Sequence, residues 1–263
     1  MVYFDKKNNR LVMVENRADS DYWDSHWETS QLENKIKEGL RNRIVKKNTK
    51  RFLPSGGRII EGGCGIGQLV YALGEWGYDA YGVDYAEKTI KKTKELMPEL
   101  KIEIQDVKKM GFADSFFDGY WSLGVIEHFY DGFDDIISEA ARVVKPGGYL
   151  FLTFPHMSLL RKIKIKFGGY RALPDIFEKE SFYQFMLDGR SVQTKVEKHG
   201  FELVMRQNYG AIKGIKDEVP ALKVFLQKVH DGNDLVSKII RRLIALLFDR
   251  SAGHITLLVF KRK

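Results

Sequence analysis

Glu61-Gly62-Gly63-Cys64-Gly65-Ile66-Gly67 decides how this chain is read. The run Arg58-Ile59-Ile60-Glu61 delivers it as a short strand, and Gln68 to Trp76 leaves it as a helix. Glycines at alternate positions 63, 65 and 67 let the backbone turn sharply and approach a ligand closely. The following helix start offers unpaired N–H groups. The spacing selects the ligand. A dinucleotide fingerprint, Gly-x-Gly-x-x-Gly counted from Gly63 and Gly65, needs a glycine at a position that is Gln68. A triphosphate loop needs Gly-Lys-Ser/Thr, and Gly67 precedes Gln68-Leu69. An acid just before the loop repels phosphate and suits a cationic or amine-bearing ligand.

Outward from the loop, strand and helix alternate. Ala80 to Asp84 reads as a second strand, Ala86 to Leu96 as a Lys-rich helix stopped before Pro98, and Ile102 to Asp106 as a third strand. Phe117 to Val125 is a fourth strand, Asp134 to Val144 a helix ended by Lys145-Pro146-Gly147-Gly148, and Tyr149 to Phe154 a fifth strand. This rhythm implies a parallel sheet with right-handed crossovers and helices on both faces. Beyond Pro155 it breaks: 156–180 reads as basic and irregular, Val192 to His199 as a helix, Phe201 to Gln207 as a sixth strand. Residues 220–249 read as helical with a break near Asp231-Gly232-Asn233-Asp234, and His254 to Phe260 as a last strand. At the amino end, Trp23, Trp27, Leu32, Ile36, Leu40 and Ile44 give Asp19 to Arg51 a helical pattern. The expected organisation is an amino-terminal helical lid over 1–54 and one domain over 55–263, with 156–185 and 215–250 as acceptor-side insertions.

The strand ends converge on the carboxyl edge of the sheet, where open α/β sheets bind ligands. Asp84 ends the second strand, where a carboxylate can accept from both ribose hydroxyls or cap the next helix. Asp106-Val107 ends the third, where an acid beside an apolar side chain can hold an adenine amino group and cover its ring, or simply close a turn.

Composition excludes several classes. The 263 residues are 44% hydrophobic and 30% charged, as in an ordinary globular protein. One cysteine allows neither an internal disulfide nor a Cys-based zinc cluster, and a cytoplasmic home fits that count. The first residues have no apolar signal core, and the longest apolar run, Leu243 to Phe248, is far too short to span a bilayer. Charge is uneven: +4 over 1–54, −6 over 55–156 and +10 over 157–263. A basic last third either meets an anionic lipid, nucleic acid or phosphorylated substrate, or is a solvated Lys-rich surface.

The set IIEGGCGIG (59–67), YGVD (81–84), IQDV (104–107), FDGYWSLGVIEHF (117–129) and VKPGGYL (144–150) resembles the class I S-adenosylmethionine-dependent methyltransferases, in the branch with the ubiquinone and menaquinone enzymes. The resemblance covers roughly 55–156. It implies a Rossmann-like, doubly wound seven-stranded sheet of order 3-2-1-4-5-7-6, with the last strand, His254 to Phe260, antiparallel. It implies S-adenosyl-L-methionine as cofactor, with Glu61 and the loop of Gly63, Cys64, Gly65 and Gly67 at the methionine half. Asp84, with Tyr85 beside it, falls at the ribose, Asp106 and Val107 at the adenine, and Leu123 at the methionine part. Gly62 departs from the family, which has an apolar residue there; some loss of packing is expected.

The sulfonium methyl is already activated, so the chain must align an acceptor and exclude water. His128, after strand four, is the candidate base, with the pocket wall as its other reading. A metal at Glu127-His128 lacks a carboxylate set, and none is expected. Tyr22, Trp23 and Trp27 are candidate lid residues, and Tyr183 with Phe177, Phe182 and Phe185 makes the segment after strand five aromatic. The expected activity is O- or C-methylation of a small-molecule or lipid-intermediate acceptor. The alternatives are an RNA or protein methyltransferase and a non-catalytic cofactor binder or membrane-surface protein. Against amino-group chemistry, Ser122-Leu123-Gly124-Val125 stands where such enzymes carry an Asn-Pro-Pro-Tyr-type motif. Leu159 to Phe167 and Val236 to Arg250 interleave basic and apolar residues; each either lies on an anionic membrane or packs its apolar stripe on the domain.

Overall fold

A computed structural model describes residues 1–15, 19–26, 31–177 and 179–263. The chain opens with a hairpin, β1 (Val2–Asp5) and β2 (Arg10–Val14), followed by α1 (Ser20–His26), α2 (Leu32–Lys37) and α3 (Arg43–Phe52). The alternating half is β3 (Arg58–Gly62), α4 (Gln68–Glu75), β4 (Asp79–Asp84), α5 (Glu87–Leu96), β5 (Lys101–Ile104), β6 (Phe117–Leu123), α6 (Asp134–Val143) and β7 (Val144–Pro155). Then come α7 (Leu159–Lys166), β8 (Arg171–Ala172), β9 (Phe182–Met186), α8 (Gly189–Glu197) and β10 (Phe201–Tyr209). The chain closes with α9 (Ala211–Glu218), α10 (Lys223–Asp231), α11 (Leu235–Ala252) and β11 (Ile255–Arg262).

The large sheet runs β10-β11-β7-β6-β3-β4-β5, with β11 antiparallel to both neighbours. Numbered within the sheet by sequence, this is the order 3-2-1-4-5-7-6 expected above. Its central strands are apolar on both faces because helices cover both, whereas the edge strands β5 and β10 carry exposed polar residues. Ile60, Tyr120, Leu150, Leu152 and Leu258 join a core cluster that includes Ile136 and Ile137 of α6 and Val192 and Val196 of α8. Their neighbours Ile59, Trp121, Phe151 and Leu257 join a second cluster with Ile36 of α2, Val45 of α3 and Leu69 and Leu73 of α4.

Gly62 fits better than expected. A Cβ there would lie 1.9 Å from the hydroxyl oxygen of Tyr120, a fully buried side chain that fills the space of the missing one. The packing moved to the neighbouring strand instead of being lost.

The amino-terminal segment is not the helical unit expected over 1–54. Residues 2–5 and 10–14 pair as strands and belong to a four-stranded sheet of order β8-β1-β2-β9. Leu11 pairs with Met186 and Val12 with Phe185, which ties the first residues to the segment after β7. Asp5 fixes the turn, accepting from Asn8 N at 3.1 Å and Arg10 Nε at 2.9 Å. From Ser20 onward the helical expectation holds in shorter pieces. Within the stretch read as irregular, Leu159–Lys166 is a helix capped by Ser158.

Candidate active site

The carboxyl ends of β3, β4 and β6 surround a crevice enclosing about 550 Å³, its open mouth included. Gly63 and Gly65 form its floor and Asp84 and Tyr85 one wall. Leu123, Gly124, Val125, His128 and Phe129 form the other wall, and Trp23 of α1 lies across it. Gly63 has φ +76°, and a Cβ there would meet a Val125 methyl at 2.5 Å, so the loop and the β6 end close up only around glycine.

The loop spends its N–H groups internally. Gly63 and Cys64 both donate to the Val83 carbonyl, at 2.8 and 3.0 Å, and Gly67 donates to the Cys64 carbonyl at 2.8 Å. Gly65 donates to Asp84 Oδ2 at 2.8 Å. That is a poor cradle for phosphate, in keeping with the spacing. Asp84 Oδ1 accepts from Ala86 N at 2.9 Å, so this carboxylate caps the turn into α5 and also faces the crevice.

Glu61 is buried beneath the loop, and its Oε2 has no hydrogen-bond partner. Burial, with Asp84 nearby, raises its pKa well above the ordinary carboxylate value; burial also raises that of Asp84. Of the two, only Asp84 faces the crevice; Glu61 lies beneath the loop, off the crevice lining. Cys64 is buried, and Gly67 starts α4 in the left-handed region at φ +73°.

Asp106 and Val107 lie off the crevice lining. Asp106 accepts from Lys108 N at 2.9 Å, closing a turn, and Val107 is in the core. Tyr85 is at the mouth, 37% exposed. Trp27 falls outside the described residues.

Glu127 and His128 occupy one turn after β6 (Ile126–His128) and face different surroundings. Glu127 is buried, its Oε2 has no partner, and burial pushes its pKa to about 8. His128 Nδ1 lies 2.8 Å from the Tyr183 carbonyl. A carbonyl only accepts, so Nδ1 carries the proton and Nε2 keeps its lone pair. Burial holds the His128 pKa down to about 4, so the ring is neutral near pH 7. Trp23 and Tyr183 meet the imidazole edge to face, each with ring centroids 5.1 Å away, and Tyr22 packs on Tyr183 at 5.7 Å. Asp24 fastens this helix, accepting from both N and Oγ1 of Thr89 at 2.8 Å at the start of α5.

Behind the aromatic group lies a wider cavity of about 1620 Å³, mouth included. Its lining includes Tyr22, Tyr183, Tyr170, Met13 and Met186 together with Lys164, Lys213, Lys216, Lys223 and His254 and the acids Glu15, Asp217 and Glu218. Sequence reading missed Gly124, Val125 and Phe129 of the crevice and the contribution of β2 to this cavity. The first three follow Leu123 directly and were within reach; the last depends on a pairing across more than 170 residues.

Residues 60–152 match the family described as Methyltransferase domain. The chain is 30% identical over 137 residues to the 2-methyl-6-phytyl-1,4-hydroquinone methyltransferase of Synechocystis sp., covering 51% of this chain and 43% of that one. It is 28% identical over 143 residues to the ubiquinone biosynthesis O-methyltransferase of Methylococcus capsulatus, covering 52% and 58%. The chain thus spans about half the length of the curated relatives it matches. Among solved structures, a SAM dependent methyltransferase from Archaeoglobus fulgidus superposes with TM-score 0.53 over 86% of this chain and 98% of that one, at 18% identity. That is a likeness of fold.

Proposed function

We infer that this chain, whose residues 60–152 are a methyltransferase domain of the class I, S-adenosylmethionine-dependent family, methylates a small-molecule or lipid-intermediate acceptor at oxygen or carbon. The crevice suits that cofactor. Asp84 on its wall matches a hydroxyl-bearing ligand, and Glu61, just beneath the glycine turn and off the crevice lining, offers an orphaned oxygen to an ammonium group that reaches under the turn. Glu61 and the Gly63–Gly65 turn would hold the methionine half, Asp84 the ribose hydroxyls, and Tyr85 with Phe129 the flanks of the base. When bound, the cofactor supplies a methyl group already activated on a sulfonium.

The chain's own residues then align, deprotonate and dry the site. The observation carrying this reading is the pinned tautomer of His128 at the crevice wall. Its Nε2 lone pair takes the proton of an acceptor hydroxyl or acidic carbon, and the Tyr183 carbonyl stabilises the resulting imidazolium through Nδ1–H. Trp23 over the opening excludes water. The acceptor's reacting end lies in the crevice beside His128, and its planar or lipidic body extends past Tyr22 and Tyr183 toward the wider cavity that they line. Relatives named for quinone substrates support a phenolic acceptor.

Calorimetric titration with S-adenosylhomocysteine, combined with transfer of labelled methyl to a panel of phenols and hydroquinones, tests this. Wild type should bind the nucleotide with micromolar affinity, and His128→Gln should keep that affinity while losing about 10²–10⁴ in kcat. No nucleotide binding sinks the cofactor assignment. An unchanged kcat in the variant sinks the base, and binding without turnover on any acceptor favours a non-catalytic binder.

A further inference from the structure

α11 is apolar on both sides. Its inner stripe, Ile240 and Ile244, packs on Ile212 of α9 and on Leu226 and Val229 of α10. A second stripe faces water: Val236 is 64% exposed, Ile239 47%, Leu243 51%, Leu246 81% and Leu247 65%. These recur every three or four residues along the helix, with exposed Lys238, Arg242 and Arg250 among them. A helix that merely packs on its domain needs one stripe. α7 lies against α11 and repeats the pattern, with exposed Leu159, Ile163 and Phe167 beside Lys162 and Lys166. On α10, Val224 and Phe225 are exposed as well.

The charge on this surface is mainly positive. Of the Lys and Arg of α7, α10 and α11, Arg161 is buried, Arg161 and Lys164 pair with Glu218, and Arg241 donates to backbone carbonyls. Lys162 (paired with Asp188), Lys166, Lys223, Lys228, Lys238, Arg242 and Arg250 are exposed, against two Asp on the same helices. Of the two acids, Asp249 accepts from Ala211 N at 2.9 Å and Asp231 is held by Gln227 and His230. A second copy placed here would set seven exposed cations against seven. A polynucleotide would pair the cations and leave the aliphatic stripe in water. An anionic bilayer takes both, burying the stripe at the acyl boundary and pairing the cations with headgroups.

We propose that the α7–α10–α11 face docks the protein onto an anionic membrane surface. The wider cavity is lined by Lys164 and Tyr170 beside α7 and by Lys216 and Lys223 from α9 and α10. Docking therefore turns the acceptor side of the molecule toward the bilayer. The proposal concerns the surface and holds whichever acceptor is methylated.

Cys64 is buried, so a thiol introduced by Leu246→Cys takes an environment-sensitive fluorophore alone; Lys94→Cys on α5, at the far edge of the sheet, is the control. The probes are phosphatidylcholine vesicles with and without about a third phosphatidylglycerol. Wild type should sediment with the anionic vesicles, and partitioning should fall at least tenfold without the anionic lipid or in roughly 0.5 M salt. The label at 246 should shift to the blue and the label at 94 should not. Combined Leu243→Glu, Leu246→Glu and Leu247→Glu, all exposed, should lower partitioning about tenfold or more with S-adenosylhomocysteine affinity and Tm unchanged. No vesicle binding by wild type, undiminished binding by the triple variant, or equal shifts at both labels overturns the proposal. So does a dimer that the triple variant dissolves, or capture of RNA that competes the vesicles away.

Discussion

Glu127 and His128 are adjacent, and burial drives both toward neutrality: the acid keeps its proton and the imidazole loses its charge. For Glu127 the consequence is thermodynamic. Its carboxyl titrates near 4.5 when unfolded and about 8 when folded, so between those values the folded state binds the extra proton. The associated stability is fully present below 4.5 and is lost as pH rises through about 8. Between about pH 6 and pH 9 the loss is roughly 3 kcal/mol at one proton per molecule. Glu127→Gln keeps the shape and removes the titration. Urea unfolding of both proteins at the two pH values should show the variant gaining on wild type by about that amount at the higher one. A difference that does not change with pH would mean Glu127 finds a partner for its charge.

Elements differ in how plainly they could be read. The β3–β7 half was legible because its parallel strands are short apolar runs punctuated by Gly, Pro and Asp, and each signal is local. The small sheet was not, because β2 has no signature until Met186 and Phe185 lie beside it. At the site, Asp84 announced itself by ending a strand, whereas nothing local marks Glu127 as buried. The helix α7 escaped for a related reason. Its inward residue is Arg161, fully buried, which breaks the apolar pattern a helix is recognised by. Arg161 donates to Glu218 Oε1 at 2.8 Å, to the His156 carbonyl at 2.7 Å and to His254 Nδ1 at 2.8 Å, tying α7 to α9 and to the start of β11. Burial, together with this guanidinium, holds His254 near a pKa of about 2. Arg161→Met should cost about 3 kcal/mol, the low end for breaking a buried pair, because Lys164 and Tyr170 still hold Glu218. Thermal unfolding measures it, and an unchanged Tm would mean the cluster is not a strut.

Across the whole molecule, the sheet edge is covered from two directions by pieces that are distant in sequence. The acidic middle third supplies the crevice, the basic last third supplies much of the lining of the wider cavity, and the first fifteen residues share a sheet with the segment after β7. Between them α1 packs on α5, through Asp24 on Thr89, and its rings reach across to His128 and Tyr183. α1 is only seven residues long, and amide exchange reports openings of so short an element. Trp23 lines the crevice, so a ligand seated there gains contact only when α1 is closed, and binding must shift the helix toward that state. Saturating S-adenosylhomocysteine should therefore slow amide exchange in Ser20–His26 and in Gly63–Gly65 by at least about tenfold, which corresponds to a differential affinity of about 1.4 kcal/mol. Exchange in α10 and α11, which the ligand does not touch, should stay as it was. Protection of the glycine turn with none in α1 would show that the nucleotide binds an open site and that Trp23 packs on His128 without serving as a lid.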